Sequence, residues 1–185
     1  IAFLKQNSAL PVDVHLMVVV DKPEENIYIN ECLRAGADII IVHFRDAHRD
    51  TEHLKETINY IKAKGCKAGI ALKVNDPVEE IEAILPQIDT VLLLAVDPGY
   101  GGSPFSESVL GKVKTLRKII DAKQINVEIQ VDGGVNPAIA GIIVDAGADI
   151  LISGSAIFGR EDVSEAVRAL REAGSKPGDS DMPES

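Results

Sequence analysis

The residues of this chain that could do chemistry stand at the ends of short apolar runs. These runs have the composition of buried parallel strands. In a barrel of alternating strands and helices, reactive groups come from the carboxyl ends of the strands and the loops after them. The residues in such positions are His15, Met17, His43, Asp46, Lys73, Asp97, Asp132, Ser153 and Ser155.

Two of these residues, His15 and Asp132, have the side chains of a metal site. A carboxylate next to Gly133 and Gly134 is costly to bury without a cation or another partner. Alternation along a strand places His15 and Met17 on one face. Imidazole plus carboxylate suits zinc, iron or manganese. The sequence therefore predicts a divalent metal held by His15 and Asp132, with a hydrogen-bonded core histidine as the alternative for His15.

Three glycine-rich turns follow successive strands, at 97–102, 132–134 and 153–155. Glycine lets backbone amides approach a ligand closely, and amides that converge near a helix start favour an anion. Barrels often bind a substrate phosphate at their last two loops. Tight turns also use glycine for steric reasons alone, but three in succession favour phosphate binding. The predicted phosphate ligands are the amides of Gly101, Gly102, Gly133, Gly134, Gly154 and Ser155.

The remaining polar residues have simpler interpretations. Lys73 could form a Schiff base or pair with a phosphate, but the Val-Asn-Asp sequence that follows it at 74–76 favours a solvated turn. Asp97 precedes a proline and is predicted to form a turn. His48 and His53 lie in a charged loop and on a charged helix, and both are predicted to be surface residues.

The elements that position these groups are predicted from the hydrophobic pattern. The string Ala-Gly-Ala-Asp-Ile occurs at 35–39 and again at 146–150, a separation that accommodates about four helix–strand units of about 28 residues. The predicted strands are 12–20, 39–44, 67–72, 90–96, 126–131 and 150–153. The predicted helices are 23–35, 51–64, 77–85, 106–121, 137–146 and 162–172.

Several of these helices carry start and stop signals. Asp76 and Asn136 each precede a proline, which is the pattern of an N-cap followed by proline at the first helical position. Gly36, Gly65 and Gly147 follow predicted helix ends, where a left-handed residue commonly ends the helix.

Six parallel strands are two fewer than a closed eight-stranded barrel needs. We therefore expect an α/β fold of the (β/α)8 TIM barrel type, with about the last six units in this chain. Residues 3–6 have the character of a helix tail, which fits two units absent at the amino end. Residues 1–174 are predicted to form one partial barrel domain. The segment 175–185 is too polar to bury surface and is predicted to be a disordered tail.

Composition narrows the range of partners. The 185 residues are 45% hydrophobic and 4% aromatic, enough for one domain with an aliphatic core. The net charge of −10 argues against general affinity for nucleic acid or anionic membranes. No run approaches the roughly 20 apolar residues of a membrane span, and the start lacks a signal-peptide pattern. Cys32 and Cys66 have no paired spacing, so we predict buried thiols and a cytoplasmic protein.

Four motifs occur in order along the chain and together resemble one enzyme family. They are Asp-Val-His-Leu-Met-Val at 13–18, Val-Asp-Pro-Gly-Tyr-Gly-Gly-Ser-Pro-Phe at 96–105, Val-Asp-Gly-Gly-Val at 131–135 and Gly-Ser-Ala-Ile-Phe at 154–158. Their order and spacing are similar to those of the ribulose-phosphate 3-epimerase family, over about residues 10–173. The resemblance implies a (β/α)8 barrel.

The resemblance also implies a site and a reaction. In that family a divalent metal is held by a His and an Asp on the second strand, a His on the third and an Asp on the seventh. His15 matches the third-strand ligand and Asp132 the seventh-strand one. Asp132 would also be one of two acid/base carboxylates, and Met17 would line the reacting carbons. The implied activity is the interconversion of D-ribulose 5-phosphate and D-xylulose 5-phosphate through a metal-stabilised enediolate, in the pentose phosphate pathway.

The chain also departs from the family pattern. The second-strand ligands belong to the units predicted to be absent, so the chain alone is expected to be inactive. The family's Asn-Pro-Gly is replaced by residues 73–75, and its His-x-Glu by residues 43–46. Its Met and Asn around the sixth strand are replaced by Leu94 and Asp97. These changes leave open an epimerase for another ketose phosphate, such as allulose 6-phosphate, or a phosphate-binding relative without catalysis. A homo-oligomer is compatible with the sequence, which does not decide the oligomeric state.

Overall fold

The structure is a computed structural model that describes residues 1–44, 51–96 and 105–175. The chain divides into two compact units. The first consists of Ile1–Leu72, Glu79–Leu92 and Ile125–Val127, and the second of Lys73–Val78, Leu93–Gln124 and Glu128–Ser185. The predicted tail, from residue 176 onward, lies outside the described residues.

Strands and helices alternate along the chain, as the sequence predicted. The strands are β1 (Asp13–Leu16), β2 (Ile39–His43), β3 (Lys67–Leu72), β4 (Thr90–Leu94), β5 (Glu128–Asp132) and β6 (Ile150–Ile152). The helices are α1 (Ala2–Asn7), α2 (Ile27–Arg34), α3 (Thr51–Ala63), α4 (Ser108–Lys123), α5 (Pro137–Ala146), α6 (Ser155–Phe158) and α7 (Val163–Gly174). The strands form one six-stranded sheet in chain order, and β1 with β2, β2 with β3 and β5 with β6 pair in parallel.

The first strand is shorter than predicted. It ends at Leu16 rather than at residue 20, so Met17 follows the strand and its side chain is 59% exposed. Leu16 pairs with Val42, and β2 ends one residue later at His43. The β-branched residues at 18–20 therefore extend past the ladder that would hold them in a strand.

The helix predicted at 77–85 is replaced by two short 310 helices, Val78–Ile81 and Leu85–Gln87. The Asp76 carboxylate accepts a hydrogen bond from the Lys73 amide at 2.8 Å and closes a turn. The buried side chains of Val78, Ile81 and Ile84 recur every three residues. That spacing lies on one face of a 310 helix, which has three residues per turn.

The other helix signals are confirmed. The Asn136 side chain accepts a hydrogen bond from the Ala138 amide at 2.9 Å and caps α5. Gly36 and Gly147 follow the ends of α2 and α5 with positive φ. Cys32 and Cys66 are buried free thiols. Among the residues that the structure describes, no helix is long and apolar enough to cross a membrane.

The same aspartate contact recurs at the amino ends of the strands, and we term it the aspartate clamp. Asp38, Asp89 and Asp149 precede β2, β4 and β6. Each carboxylate accepts a hydrogen bond from a backbone amide where the neighbouring strand begins: Val12 at 2.7 Å, Ala68 at 2.9 Å and Ile129 at 2.8 Å. Each also pairs with a cation from the helix before that strand, at 2.7 Å (Lys5), 3.0 Å (Lys62) and 3.3 Å (Arg117).

The clamp explains the repeated string Ala-Gly-Ala-Asp-Ile. In both copies the glycine ends a helix, the aspartate supplies the clamp and the isoleucine begins a strand, β2 or β6. The third clamp, at Asp89, follows a 310 helix and has no glycine before it. The sequence repeat therefore marks a helix-to-strand junction whose carboxylate fastens two adjacent strands.

One close approach in the first unit requires a glycine. Gly69 of β3 pairs with Ile41 of β2, and β2 is buried along its whole length. A Cβ at Gly69 would lie 2.5 Å from Cγ2 of Thr90 and 3.0 Å from Cγ1 of Ile41. Since close-packed cores do not yield cheaply, the absence of a side chain here lets β3 and β4 pack together.

We expect Gly69→Ala to lower the free energy of unfolding by about 1–3 kcal/mol, because the added methyl group overpacks this layer. Gly111→Ala is the matched control, since a Cβ on that exposed position of α4 meets nothing within 4 Å. The control should be neutral or more stable by up to about 1 kcal/mol. Urea unfolding of the full-length protein measures both, and equal stability of the two variants would contradict the packing argument.

The clamp at Asp38 should make stability depend on pH. The Lys5 hydrogen bond, followed by the Val12 amide, holds the pKa of Asp38 below its usual 3.8. A lowered folded pKa stabilises the protein above the unfolded pKa, and that stabilisation is lost as pH falls through the folded value. Wild type should therefore exceed Asp38→Asn in unfolding free energy at neutral pH, and the difference should shrink on acidification below 3.8.

The exposed aspartate of α5 provides the control for that experiment. Asp145→Asn removes a carboxylate that belongs to no clamp. It should leave the pH dependence of urea unfolding unchanged. A difference between wild type and Asp38→Asn that stayed constant with pH would show that the carboxylate charge does not contribute.

Candidate active site

Two histidines meet on adjacent strands of the first unit. His15 lies in β1 opposite Ile41, and His43 lies two residues further along β2. This register places both side chains on the same face of the sheet. Their Nε2 atoms are 3.0 Å apart and their ring centroids 4.8 Å apart. His43 is buried, with 4% of its surface exposed.

The environment of His15 keeps its ring neutral. Burial, and second the neighbouring His43, lower the pKa of His15 to about 4. At pH 7 the ring therefore carries one N–H and one nitrogen lone pair. A neutral imidazole is the form that binds a metal ion, so His15 is chemically ready to act as a ligand.

Asp132 ends β5 in the second unit, at the position that the sequence predicted for a reactive carboxylate. Its backbone oxygen accepts a hydrogen bond from the Ala95 amide at 2.7 Å, which fixes the end of the strand. Burial raises the pKa of the Asp132 side chain, and a hydrogen bond from the Gly133 amide opposes that rise. A carboxyl group with a raised pKa exchanges protons more readily near neutral pH.

The turn after β5 needs glycine for its own conformation. Gly133 has a φ of +113° and Gly134 a φ of +68°, values that other residues adopt at a cost. A Cβ at Gly133 would also lie 2.8 Å from Cγ2 of Val96. The Asn136 side chain donates to the Gly134 oxygen at 3.0 Å. The steric role that the sequence left open is therefore real for this turn.

The turn after β6 is different. Gly154 has a φ of −103°, and a Cβ there would meet no atom of residues 1–44, 51–96 and 105–175 within 4 Å. Ser155 begins the short helix α6, and Ser153 Oγ donates to the Val135 oxygen at 2.8 Å. That bond ties the turns after the adjacent strands β5 and β6 together. No contact among the described residues requires glycine at 154, so these residues leave room for a ligand there.

The other predicted residues are accounted for as follows. Five of them lie outside the described residues: Gly101, Gly102, Asp97, Asp46 and His48. Met17 is exposed beyond the end of β1.

The structure also tests the simpler interpretations of His53 and Lys73. The first is only partly correct, and the second is supported. His53, predicted to be a surface residue, is half-buried on α3 and its ring contacts the Asp21 backbone oxygen. The turn at Lys73 is stabilised by a hydrogen bond from α4: Nζ of Lys112 donates to the backbone oxygen of Lys73 at 2.6 Å. This supports the interpretation of 73–76 as a turn.

The donor set partly fits a divalent metal. Within residues 1–44, 51–96 and 105–175, no three or more His, Cys, Asp and Glu side chains gather in one group. A neutral imidazole at His15 and a carboxylate at Asp132 are nevertheless the donor types that zinc, iron and manganese accept. His15 lies in the first unit and Asp132 in the second, so their joint binding of one ion stays a prediction.

His43 is among the residues that the sequence places at strand ends, but the sequence assigned it no specific role. It ends a strand that is otherwise fully aliphatic and follows the strand that carries His15. A polar residue ending a buried strand was a usable signal. The pairing itself was not visible in the sequence, because it depends on the register between β1 and β2.

The model of the ribulose-phosphate 3 epimerase family matches residues 1–158. The chain is 43% identical over 168 residues to the chloroplastic ribulose-5-phosphate-3-epimerase of Arabidopsis thaliana, covering 91% of this chain and 58% of the relative. It is 42% identical over 163 residues to the ribulose-phosphate 3-epimerase of Bacillus subtilis, covering 88% of this chain and 71% of that one.

Solved structures agree on the fold. A crystal structure of 3-hexulose-6-phosphate synthase matches with a TM-score of 0.72 at 21% identity, covering 94% of this chain and 78% of that one. Identity at that level supports a common fold only. The match of the family model over most of the chain and the two relatives above 40% identity are decisive for ancestry. This chain belongs to the ribulose-phosphate 3-epimerase family.

Proposed function

We propose that this chain forms part of the active site of a ribulose-phosphate 3-epimerase, which interconverts D-ribulose 5-phosphate and D-xylulose 5-phosphate. The observation that supports this most is the half-buried carboxyl group of Asp132, which ends β5 beside a glycine turn. The chain spans 58% and 71% of the two relatives' lengths, so the activity is proposed for the whole protein.

Epimerisation at C3 needs a proton removed from one face of the substrate and another delivered to the opposite face. The proton at C3 is acidic because the C2 ketone is adjacent to it. We assign the exchange on one face to Asp132, because it is a half-buried carboxyl group at the carboxyl end of a strand. For the other face, the family resemblance implies a second aspartate, on the family's second strand.

We assign the divalent ion, zinc, iron or manganese, to His15 and Asp132. When bound, the ion supplies positive charge that stabilises the enediolate. His15 contributes a neutral ring nitrogen, because its pKa of about 4 leaves it unprotonated under ordinary conditions. Met17 lies one residue beyond β1, where an apolar side chain would limit water near the reacting carbons.

The phosphate is assigned to the backbone amides of the glycine turns. Gly133, Gly134, Gly154 and Ser155 follow the adjacent strands β5 and β6. Gly101 and Gly102, outside the described residues, complete the predicted set. Binding energy from this remote group would orient the reacting carbons. The cytoplasm stays the expected compartment, although the Arabidopsis relative is described as chloroplastic.

Replacement of Asp132 tests the acid/base role. In the full-length protein, Asp132→Asn should slow exchange of the C3 proton with deuterated solvent by at least about 100-fold, because the amide cannot accept that proton. Affinity for the sugar phosphate should change little. Asp121→Asn, at an exposed position of α4, is the control and should retain exchange. Exchange retained by Asp132→Asn would contradict the assignment, and assays with allulose 6-phosphate would reveal a different substrate preference.

Replacement of Gly154 tests the phosphate site. Because the fold leaves space there, Gly154→Val should fold normally but obstruct the approach of a phosphate to the backbone. We expect sugar phosphate binding to weaken by about 1–3 kcal/mol through lost hydrogen bonds, with a much smaller effect on the unphosphorylated sugar.

Calorimetric titration with the sugar phosphate and with the unphosphorylated sugar measures both affinities of Gly154→Val, and a second glycine variant serves as the control. Gly111→Val, on the exposed face of α4, should leave both affinities unchanged. Gly134→Val is unsuitable because its φ of +68° would add backbone strain. Equal losses for the phosphorylated and unphosphorylated sugars at Gly154→Val would mean that this turn does not bind the phosphate.

A further inference from the structure

His43 is a buried imidazole that the proposed reaction does not use. It closes β2, and 4% of its surface is exposed. Its Nε2 lies 3.0 Å from Nε2 of His15, which is hydrogen-bond distance. The register of β1 against β2 sets this contact, since His15 pairs with Ile41 and His43 follows two residues later. The two rings are therefore held together by the sheet itself.

A hydrogen bond between two imidazoles requires one N–H and one lone pair. Within the described part of the chain, the contact with His43 is the polar contact that the structure shows for His15. Nε2 of His15 is thus engaged, and Nδ1 is the nitrogen left for another ligand. Histidines that bind metals through one nitrogen characteristically donate the other N–H to an acceptor, which fixes the tautomer and the ring orientation.

We propose that His43 is a positioning residue whose Nε2 accepts a hydrogen bond from Nε2–H of His15. This bond selects the tautomer of His15 in which Nδ1 carries the lone pair, so that Nδ1 is the atom offered to the divalent cation. The inference rests on the proposed function in one respect, that His15 is a metal ligand. The competing arrangement has both Nε2 atoms binding the cation, with His43 as a ligand in its own right.

Three variants of the full-length protein separate these arrangements. His43→Gln keeps an acceptor oxygen near the position of Nε2, whereas His43→Phe keeps a flat ring without an acceptor. His53→Gln, on α3, controls for loss of a histidine elsewhere. Long-range proton–nitrogen NMR spectra of the metal-free protein determine the tautomer of His15. Competition with a chelator measures the affinity for Zn²⁺ and Mn²⁺.

We expect His15 to be the Nε2–H tautomer in wild type, in His43→Gln and in His53→Gln. Zn²⁺ affinity should be retained in those two variants and fall by about 10- to 100-fold in His43→Phe. A wild-type His15 protonated on Nδ1 would overturn the proposal. Equal loss of affinity in His43→Gln and His43→Phe would also overturn it and favour His43 as a ligand.

The same measurements distinguish this inference from the proposed function. The tautomer is determined without metal, so it tests the hydrogen bond even if no ion binds at His15. His15→Ala tests the ligand assignment separately: unchanged Zn²⁺ affinity in that variant would remove His15 from the metal site. If His43→Phe fails to fold, wild type and His43→Gln still decide the direction of the hydrogen bond.

Discussion

The fold of this chain depends on carboxylates that satisfy backbone amides at the amino ends of strands. Asp38, Asp89 and Asp149 each accept the amide hydrogen where a neighbouring strand begins and pair with a cation from a helix. An amide at the start of a strand that the ladder leaves unpaired needs another partner if it is shielded from water. The clamp supplies that partner and sets the register of two strands with one side chain. Each clamp thereby joins a helix, a strand and the next strand into one module.

The amino ends carry this structural role, and the residues that we propose for chemistry lie at the carboxyl ends. His43 and Asp132 both end strands, and β1 ends one residue after His15. Burial acts on the two titratable groups in opposite directions. It lowers the pKa of His15 and raises that of Asp132, since desolvation disfavours the charged form of either group. The neutral imidazole of His15 and the raised pKa of Asp132 are both consequences of that one effect.

The two glycine turns after β5 and β6 show how similar motifs differ in physical role. Gly133 and Gly134 have backbone angles that require glycine, and Gly133 also lies against Val96. Gly154 has an ordinary backbone and open space around its Cα. The sequence treats both as phosphate-binding turns, and the distinction between structural need and ligand access depends on coordinates. Position 154 is therefore the more informative place to examine ligand binding.

The sequence by itself determined the alternation of strands and helices, the six strands, the cap at Asn136 and the family, because periodicity, turn residues and motif order are local properties. It placed Asp132 at a strand end for the same reason. It was wrong about the length of β1 and the helix at 77–85, where the outcome depended on the end of β2 and on a turn closed by Asp76. Only tertiary structure decided the clamps, the close approach at Gly69 and the contact of His15 with His43. Each of these joins residues 20 or more positions apart through strand register, which no local pattern encodes.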